Sequence, residues 1–138
     1  MTKIKEKTKL QYNQLGDTPY SVSEVGFGTY RVSSDSEDHQ MALAASIKAG
    51  INLIDTSSNY GDGDAEKLVG STLNTLISSQ LIQRDDIVVV SKGGYIQGQT
   101  YIESQKRKEN NTPIPECVEY SKGLEHCIHP DFIAEQIT

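Results

Sequence analysis

Short apolar runs alternate with amphipathic stretches along the first two thirds of the chain. Residues 7–12 and 20–25 predict two short strands, and the segment between them, residues 13–19, contains glycine, aspartate and proline, which favour a turn. We therefore predict an N-terminal β-hairpin. The next apolar run, residues 25–29 (VGFGT), predicts a buried strand, and its glycines allow a ligand to approach the strand end closely.

A helical period follows this strand. The polar and acidic residues 33–38 favour a helix N-terminus. Met41, Ala44 and Ala45 then recur at the i, i+3 and i+4 positions of one helix face. Gly50 comes after the last helical position and predicts the end of the helix.

The order of strand and helix then repeats. Residues 51–54 predict a second strand that ends at Asp55, and Asp64 is predicted to N-cap the helix that follows. This helix carries apolar residues at 3.6-residue spacing, namely Ala65, Leu68, Val69, Leu73, Leu76 and Ile77. Residues 87–90 (IVVV) are all β-branched, which is typical of a parallel strand buried on both faces.

The resulting order of strand, helix, strand, helix, strand predicts an α/β fold with a parallel sheet. The strand starts lie roughly 26 and 36 residues apart, which suits two βα units. Such a sheet is either open and doubly wound or closed as a (β/α)8 barrel.

The alternation of predicted strands and helices stops at residues 95–128. These residues are polar, contain two prolines and predict a long loop inserted in the domain. A third helix is then predicted from Pro130, because proline suits the first helical position. Three parallel strands do not cover both faces of a sheet or close a barrel. We therefore expect residues 1–138 to form an incomplete barrel domain, as part of a longer protein or a truncated gene product.

Composition narrows the possible functions. The chain has 13 basic and 19 acidic residues, a net charge of −6, which argues against a nucleic-acid or anionic-membrane surface. The charged start of the sequence lacks the apolar region of a secretory signal, and the longest strongly apolar run, residues 87–90, is too short to span a membrane. Two cysteines do not form a disulfide framework at this size. We expect a cytoplasmic protein, and nothing in the sequence indicates its oligomeric state.

Chemically useful side chains stand where two of the predicted strands end. Asp55 ends the second strand, Tyr60 lies in the loop after it, and Lys92 follows the third strand. In parallel α/β enzymes these ends share one face. A free tyrosine has a pKa of about 10, and a nearby ammonium group lowers that pKa. An aspartate that pairs with the lysine keeps the ammonium in place, so a tyrosine of this kind can protonate a carbonyl oxygen.

These motifs resemble those of the aldo-keto reductases. The matching segments are VGFGTYR, GINLIDTSSNYGDGDAEKLVG and IVVVSKGG, and the resemblance extends over roughly residues 20–94. Asp55, Tyr60 and Lys92 match three catalytic residues of the family one for one. Glu66 and Gly70 match its positions on the helix after the tyrosine loop.

The resemblance implies the first three βα units of a (β/α)8 TIM barrel, preceded by the hairpin. It implies an oxidoreductase that binds NADPH, or NADH, without a Rossmann motif and reduces a small aldehyde or ketone to an alcohol. Asp55, Tyr60 and Lys92 would be catalytic. Thr29, Tyr30 and Asp55 would line the nicotinamide end of the cofactor.

Two departures from the family pattern matter. The spacing from Asp55 to Glu66 is longer than in the short family signature and points to the bacterial and channel-β-subunit-like branch. The fourth catalytic residue of the family is a histidine at the end of strand four, which we expect to lie outside this sequence. The alternatives are a non-catalytic nicotinamide-binding regulatory module or a truncated remnant, and an unrelated open α/β binding domain.

Other candidate sites are weaker. GDGD at residues 61–64 lacks the third glycine of a dinucleotide fingerprint and the ligand spacing of an EF-hand, so it reads as a turn. Cys117, His126, Cys127 and His129 are potential zinc ligands, but adjacent ligands rarely reach one tetrahedral ion, so no metal is expected. His129 precedes Pro130 and reads as a loop residue, and neither His126 nor His129 is expected to be the fourth catalytic residue.

Overall fold

The computed structural model describes residues 10–137. They form eight strands and four α-helices, in the order β1 Tyr12–Gln14, β2 Ser21–Ser23, β3 Phe27–Gly28, α1 Glu37–Lys48, β4 Leu53–Asp55, α2 Asp64–Ser78, β5 Val88–Val90, β6 Tyr95–Ile96, α3 Gly98–Glu109, β7 Val118–Ser121, β8 Leu124–His126 and α4 Pro130–Ile137.

The first two strands pair in antiparallel register, with Asn13 opposite Val22. Both strands are shorter than the sequence predicts, and residues 7–9 of the first predicted strand lie outside the described residues. The hairpin contacts the rest of the chain through Tyr12, whose hydroxyl group donates to the carbonyl oxygen of Gly50 at 2.6 Å, and through Ser23, whose backbone N–H donates to the side chain of Asn52 at 2.7 Å.

A three-stranded parallel sheet in the order β3-β4-β5 forms the first layer of the fold. Helices α1 and α2 pack on it and enclose a core that includes Leu43, Ile54 and Leu68, each fully buried. The side chain of Ser36 caps α1 by accepting from the backbone N–H of His39. Gly50 has a φ of +103°, so the predicted helix stop is confirmed as a left-handed position that favours glycine.

The start of α2 differs from the prediction. Gly63, with a φ of +88°, is the N-cap residue, and Asp64 is the first helical residue, so the prediction that Asp64 caps the helix is wrong. The carboxylate of Asp64 instead accepts from the backbone N–H of Ser34 at 2.7 Å and from the hydroxyl group of Ser33 at 3.1 Å. It therefore ties the start of α2 to the loop before α1.

The prediction that residues 87–90 are buried on both faces is wrong at Val90. Ile87 is 5% exposed, but Val90 is 41% exposed. The physical reason is that β5 pairs only with β4 and is an edge strand within residues 10–137. An apolar sequence shows that a strand can be buried. How far its side chains are buried depends on the strands and helices that pack against it.

The prediction of a loop over residues 95–128 is also wrong, because this segment has its own secondary structure. It contains α3 and an antiparallel sheet in the order β6-β8-β7. A second small core of Ile96, Ile114, Cys127 and Phe132 lies beneath them. Only Ser104 of α3 is buried, so this helix lacks the apolar stripe that would have predicted it from the sequence. That the segment is an insertion in a barrel domain stays a prediction.

The last helix begins at Pro130 as predicted, but it is the fourth helix and not the third, because α3 precedes it. Its Gln136 side chain accepts from the backbone N–H of Gly94 at 2.6 Å, and Arg107 of α3 forms an ion pair with Glu135. Among the described residues, none of the helices is long and apolar enough to cross a membrane.

Candidate active site

The three side chains that the sequence singles out meet at the carboxyl edge of the parallel sheet. Asp55 is the last residue of β4, Tyr60 lies in the loop before α2, and Lys92 follows β5 by two residues. The Lys92 ammonium forms an ion pair with Asp55 and donates to the carbonyl oxygen of Thr56 at 2.7 Å. Its Nζ atom lies 4.9 Å from the centroid of the Tyr60 ring. The structure therefore brings all three together.

Backbone hydrogen bonds hold the tyrosine loop against the lysine strand. The N–H of Thr56 donates to the carbonyl oxygen of Val90 at 2.8 Å, which continues the parallel pairing beyond β4. The N–H of Ser58 and the hydroxyl group of Ser57 both donate to the carbonyl oxygen of Lys92, at 3.1 and 3.0 Å. Because the carbonyl of Lys92 is held on one side and its ammonium on the other, the position of this residue is fixed relative to Tyr60.

The surroundings of Lys92 raise its pKa above the ordinary value of a lysine. Partial burial is the largest single influence and lowers this pKa, but the hydrogen bonds and charges of Asp55 and Tyr60 together outweigh it. The ammonium form is therefore the form present at neutral pH. Both partners of the ion pair remain partly open to solvent, with Lys92 43% and Asp55 52% exposed.

Tyr30 and Thr29, two of the three residues expected at the nicotinamide end, have different environments. Tyr30 is 65% exposed, and its ring meets the Tyr60 ring edge-on with the centroids 5.1 Å apart. Thr29 is fully buried, and its hydroxyl group donates to the carbonyl oxygen of Asp55 at 3.0 Å. Thr29 thus positions the strand end that carries Asp55, and its direct contact with a cofactor stays a prediction.

Two hydrogen-bonded contacts that the sequence did not predict fix the tyrosine loop to neighbouring segments. Asp62 accepts from the backbone N–H of Gln99 in the first turn of α3, at 3.1 Å. The approach is so close that a Cβ atom on Gly98 would lie 2.1 Å from the Asp62 carboxylate. Asp64 holds the other side of the loop through Ser34. The acidic residues of the GDGD segment were the available signal, but nothing local in the sequence indicates their distant partners.

The two helix positions that match the family differ in what they contact. Glu66 accepts a hydrogen bond from the hydroxyl group of Ser91, next to Lys92, and so links α2 to the end of β5. A Cβ atom on Gly70 would meet no atom within 4 Å. The contacts of the described residues therefore explain Glu66 and do not require a glycine at position 70.

A cleft of about 480 Å³ opens beside Tyr60 and Lys92. One side consists of residues expected at the site, including Tyr30. The other side comes from the second sheet and from the residue that precedes α3, namely Tyr95, Gln97 and Leu124. Sequence reasoning missed these three residues, because their place in the cleft depends on the pairing of β6 with β8. The one sequence feature that could have indicated this side of the cleft is the aromatic residue directly after the two glycines that follow Lys92.

The histidines and cysteines of residues 117–129 make contacts within the fold. In the part of the chain that the structure describes, no group of three or more potential ligands is arranged to hold a metal ion. His126 packs against the rings of Tyr95 and Tyr120, and Nδ1 of His129 accepts from the backbone N–H of Asp131 in the first turn of α4. Cys127 is buried.

Similarity to known proteins agrees with this geometry. The family model described as the aldo/keto reductase family matches residues 24–122. L-galactose dehydrogenase from Arabidopsis thaliana is 35% identical over 106 residues, which are 73% of this chain and 32% of that protein. Methylglyoxal reductase YeaE from Escherichia coli is 39% identical over 75 residues, which are 52% of this chain and 24% of that protein.

Solved structures show the same fold. The holo form of aldo-keto reductase AKR11C1 from Bacillus halodurans aligns over 93% of this chain and 34% of its own, with a TM-score of 0.66 and 23% identity. Such structures imply a (β/α)8 fold, to which the described residues contribute three parallel strands. The chain spans about a third of the length of the L-galactose dehydrogenase that it matches. On the family match and the relatives together, the chain belongs to the aldo/keto reductase family.

Proposed function

We propose that this chain carries the proton-donating part of a carbonyl reductase that uses NAD(P)H to convert an aldehyde or ketone into an alcohol. The observation that carries the proposal is the assembly of Asp55, Tyr60 and Lys92 at one edge of the sheet, beside a cleft that can admit a small molecule. In this proposal Tyr60 gives its proton to the carbonyl oxygen as that oxygen gains negative charge.

The roles of the other two residues follow from electrostatics. When Tyr60 gives up its proton it acquires a negative charge, and the Lys92 ammonium, 4.9 Å from the ring centroid, stabilises that charge. Asp55 accepts a hydrogen bond from the ammonium and holds it in place. Since the carbonyl oxygen of Thr56 also accepts from Lys92, the ammonium is oriented before a substrate binds.

The residues at the end of β3 suit a nicotinamide ring. Tyr30 offers a largely exposed aromatic face at the cleft, and the Asp55 carboxylate is half-exposed and can accept from a ribose hydroxyl group. Thr29 would hold this strand end in register through its bond to Asp55. The bound cofactor supplies the hydride, and NADPH is the expected form, with NADH the alternative.

The names of the relatives support a small carbonyl substrate. They include an NADH-specific methylglyoxal reductase from Escherichia coli and an NAD(P)H-dependent D-xylose reductase from Scheffersomyces stipitis. Both are named for small oxygen-rich carbonyl compounds. For this chain we therefore propose the class, a small carbonyl substrate, and neither of these two compounds.

Turnover by a full-length protein that contains residues 1–138 tests the proposal, since these residues alone supply only three parallel strands of the family's barrel. We expect NADPH oxidation, followed at 340 nm, with methylglyoxal or D-xylose, and Lys92→Met should lower kcat by about a hundredfold or more, since proton transfer contributes about 10²–10⁴-fold. Lys48→Met, in the last turn of α1, is the matched control and should keep the parent rate. Full turnover by Lys92→Met would remove Lys92 from the mechanism.

A non-catalytic nicotinamide-binding module is the second candidate. It is favoured by the positions of His126 and His129, which contact Tyr95, Tyr120 and Asp131 and leave Tyr60 without a histidine partner among residues 10–137. Titration with NADPH, followed by cofactor fluorescence, separates the two candidates. Binding of NADPH by the same protein without its oxidation by methylglyoxal or D-xylose supports the module and contradicts the reductase.

A further inference from the structure

The open end of the β7–β8 hairpin carries the two cysteines of the chain, and neither takes part in the proposed reaction. We propose that Cys117 and Cys127 form a redox-sensitive pair, a modification site at which a small disulfide such as glutathione disulfide converts the two thiols into one disulfide bond. The site lies outside the cluster of Asp55, Tyr60 and Lys92, so it does not depend on the proposed function.

The register of the hairpin places the two cysteines opposite each other. Val118 of β7 pairs with His126 of β8, and Cys117 and Cys127 are the next residues towards the open end of the hairpin. The backbone N–H of Cys127 donates to the carbonyl oxygen of Gly94, which precedes β6, and β6 lies on the other side of β8 from β7. Cys117 and Cys127 are therefore a cross-strand pair without mutual backbone hydrogen bonds, the kind of pair in which antiparallel strands approach most closely.

A pair of this kind has the spacing that a disulfide bond needs. The Cα atoms of such a pair lie about 4.5 Å apart. Disulfide bonds join residues whose Cα atoms lie about 4.4–6.8 Å apart. The irregularity of the hairpin lies between Glu119 and Ser121, so it does not disturb the pairing of Val118 with His126 at the open end. The bond can therefore form without a large movement of the backbone.

Both thiols lie on the inner face of the second sheet. Side chains alternate between the faces of a strand, and Val118 is 56% exposed while Cys127 is fully buried and Cys117 is half-buried. Cys127 belongs to the second core, and Cys117 packs against that core. The Cys127 thiol donates to the carbonyl oxygen of Pro115 at 3.3 Å, and a thiol is a weak donor, so a disulfide gives up little when it replaces this bond.

The reaction balances as two successive thiol–disulfide exchanges. The thiolate of Cys117, the more accessible cysteine, attacks glutathione disulfide, forms a mixed disulfide and releases one glutathione. The thiolate of Cys127 then attacks the protein sulfur of the mixed disulfide, closes the new S–S bond and releases the second glutathione. Two electrons pass from the pair to glutathione disulfide, and the two protons of the protein thiols end on the two glutathione thiols.

The environment of the pair keeps the reduced form stable against brief exposure to an oxidant. Burial, the largest cause, and the neighbouring Cys127 thiol raise the pKa of Cys117 to about 12. The Glu125 carboxylate raises this pKa further, and the Lys108 ammonium lowers it. Because the thiolate is the attacking form, exchange is slow at neutral pH and becomes faster as the pH rises. The pair therefore stays reduced at rest, as cytoplasmic thiols do, and responds to sustained oxidation.

Cys127 connects this pair to the segment that follows Lys92. Its backbone N–H donates to the carbonyl oxygen of Gly94 at 2.8 Å, and Gly94 follows Lys92 by two residues. A disulfide bond would tie β8 to β7 at the position of this hydrogen bond, so the hydrogen bond should open less often in the oxidised protein. Oxidation of the pair would thus make the chain after Lys92 more rigid.

Peptide mapping of the full-length protein that contains residues 1–138 tests the proposal. The reduced protein is incubated overnight with glutathione disulfide at mildly alkaline pH, then alkylated and digested with trypsin. Trypsin cleaves after Lys122, between the two cysteines, so the disulfide would join residues 109–122 to the peptide that begins at Gly123. The linked peptides should exceed mixed disulfides with glutathione by about tenfold or more, because a positioned neighbouring thiol has a far higher effective concentration than free glutathione. Dithiothreitol should separate them again.

The controls separate this pair from general thiol oxidation. Cys117→Ser removes the half-buried thiol, so it should give no linked peptide and should leave the buried Cys127 unmodified. The parent protein unfolded in urea shows that the oxidant is active, because both of its cysteines should then react. In the folded parent, oxidation should slow hydrogen exchange of the Cys127 amide about fivefold to tenfold and leave the amide of Leu68, in the first core, unchanged.

Three results would overturn the proposal. The first is a folded protein whose two thiols stay reduced while the unfolded control reacts. The second is glutathione that remains on Cys117 without closure onto Cys127. The third is a linked form in which the Cys127 amide exchanges as fast as it does in the reduced protein.

Discussion

At the scale of single residues, Lys92 connects the parts of the site. Its ammonium pairs with Asp55, its carbonyl oxygen accepts from the tyrosine loop, and the chain after it leads directly into β6. Because its pKa in the folded chain is raised above the unfolded value, the stabilising effect of the charge is fully present below the unfolded pKa and is lost as pH rises through the folded pKa. That loss lies in the alkaline range, so the ion pair is intact wherever a carbonyl reductase would work near neutral pH.

Gly94 is the residue whose replacement should disturb the cleft most directly. In Gly94→Ala the new Cβ atom would lie 2.8 Å from Nε2 of His126 and 3.1 Å from the carbonyl oxygen of Cys127, at a φ of +106° that side chains rarely adopt. We expect a loss of about 1–3 kcal/mol in the free energy of unfolding, measured by urea denaturation. Gly70→Ala, in the middle of α2 with open space around it, should instead stabilise by about 0.5–1 kcal/mol. Similar effects of the two substitutions would contradict this account.

At the scale of elements, the sequence predicts the parallel part of the fold well and the antiparallel part poorly. The strands that end at Asp55 and before Lys92 follow from apolar runs flanked by helices with a 3.6-residue period, and both facts are local. In the second sheet, β7 and β8 form a local hairpin in which Ser121 pairs with Leu124. However, β6 pairs with β8 across about 30 positions, as Tyr95 does with His126, and no local pattern encodes that pairing. The cleft wall was missed for the same reason, while the three reactive side chains could be placed from strand ends alone.

The buried carboxylate of Glu125 holds α3 on the second sheet and should give this element a pH dependence. Glu125 is fully buried, and burial, the largest single influence, raises its pKa, but hydrogen bonds from Lys108, Ser104 and Gln105 together lower it below the ordinary value of a glutamate. The stabilising effect is therefore present above the unfolded pKa of about 4.3 and is lost as pH falls through the folded pKa.

Replacement of this glutamate measures the effect. Glu125→Gln should lower the free energy of unfolding by about 1–3 kcal/mol at pH 7, because three donors lose a charged acceptor and Lys108 keeps an unpaired charge. The difference from the parent chain should shrink as the pH falls below about 4 in urea titrations. Glu109→Gln, at the exposed end of α3, is the control and should differ little at either pH. A difference that stays constant with pH would exclude the charge as the cause.

At the scale of the whole molecule, the described residues contain two hydrophobic cores that share no residue. The first lies between the parallel sheet and helices α1 and α2, and the second lies beneath the antiparallel sheet with α3 and α4. A polar contact joins the two units built on these cores, the bond from the backbone N–H of Gln99 to Asp62. Tyr60 and Lys92 belong to the first unit and Tyr95 and Leu124 to the second, so the cleft exists only while both units are folded.

Hydrogen exchange should show whether the two cores open separately. Leu68 is fully buried in the first core, and Leu68→Ala should remove about 2–5 kcal/mol there, while Phe132→Ala should remove about 3–5 kcal/mol from the second. Because the two cores share no residue, we expect Phe132→Ala to increase exchange in α3 and β8 and to leave the amides of α2 and β4 protected. Leu68→Ala should show the reverse pattern. If either substitution accelerates exchange equally in all of these elements, the cores form one cooperative unit, and the antiparallel sheet is then as firmly fixed to the tyrosine loop as the parallel sheet is.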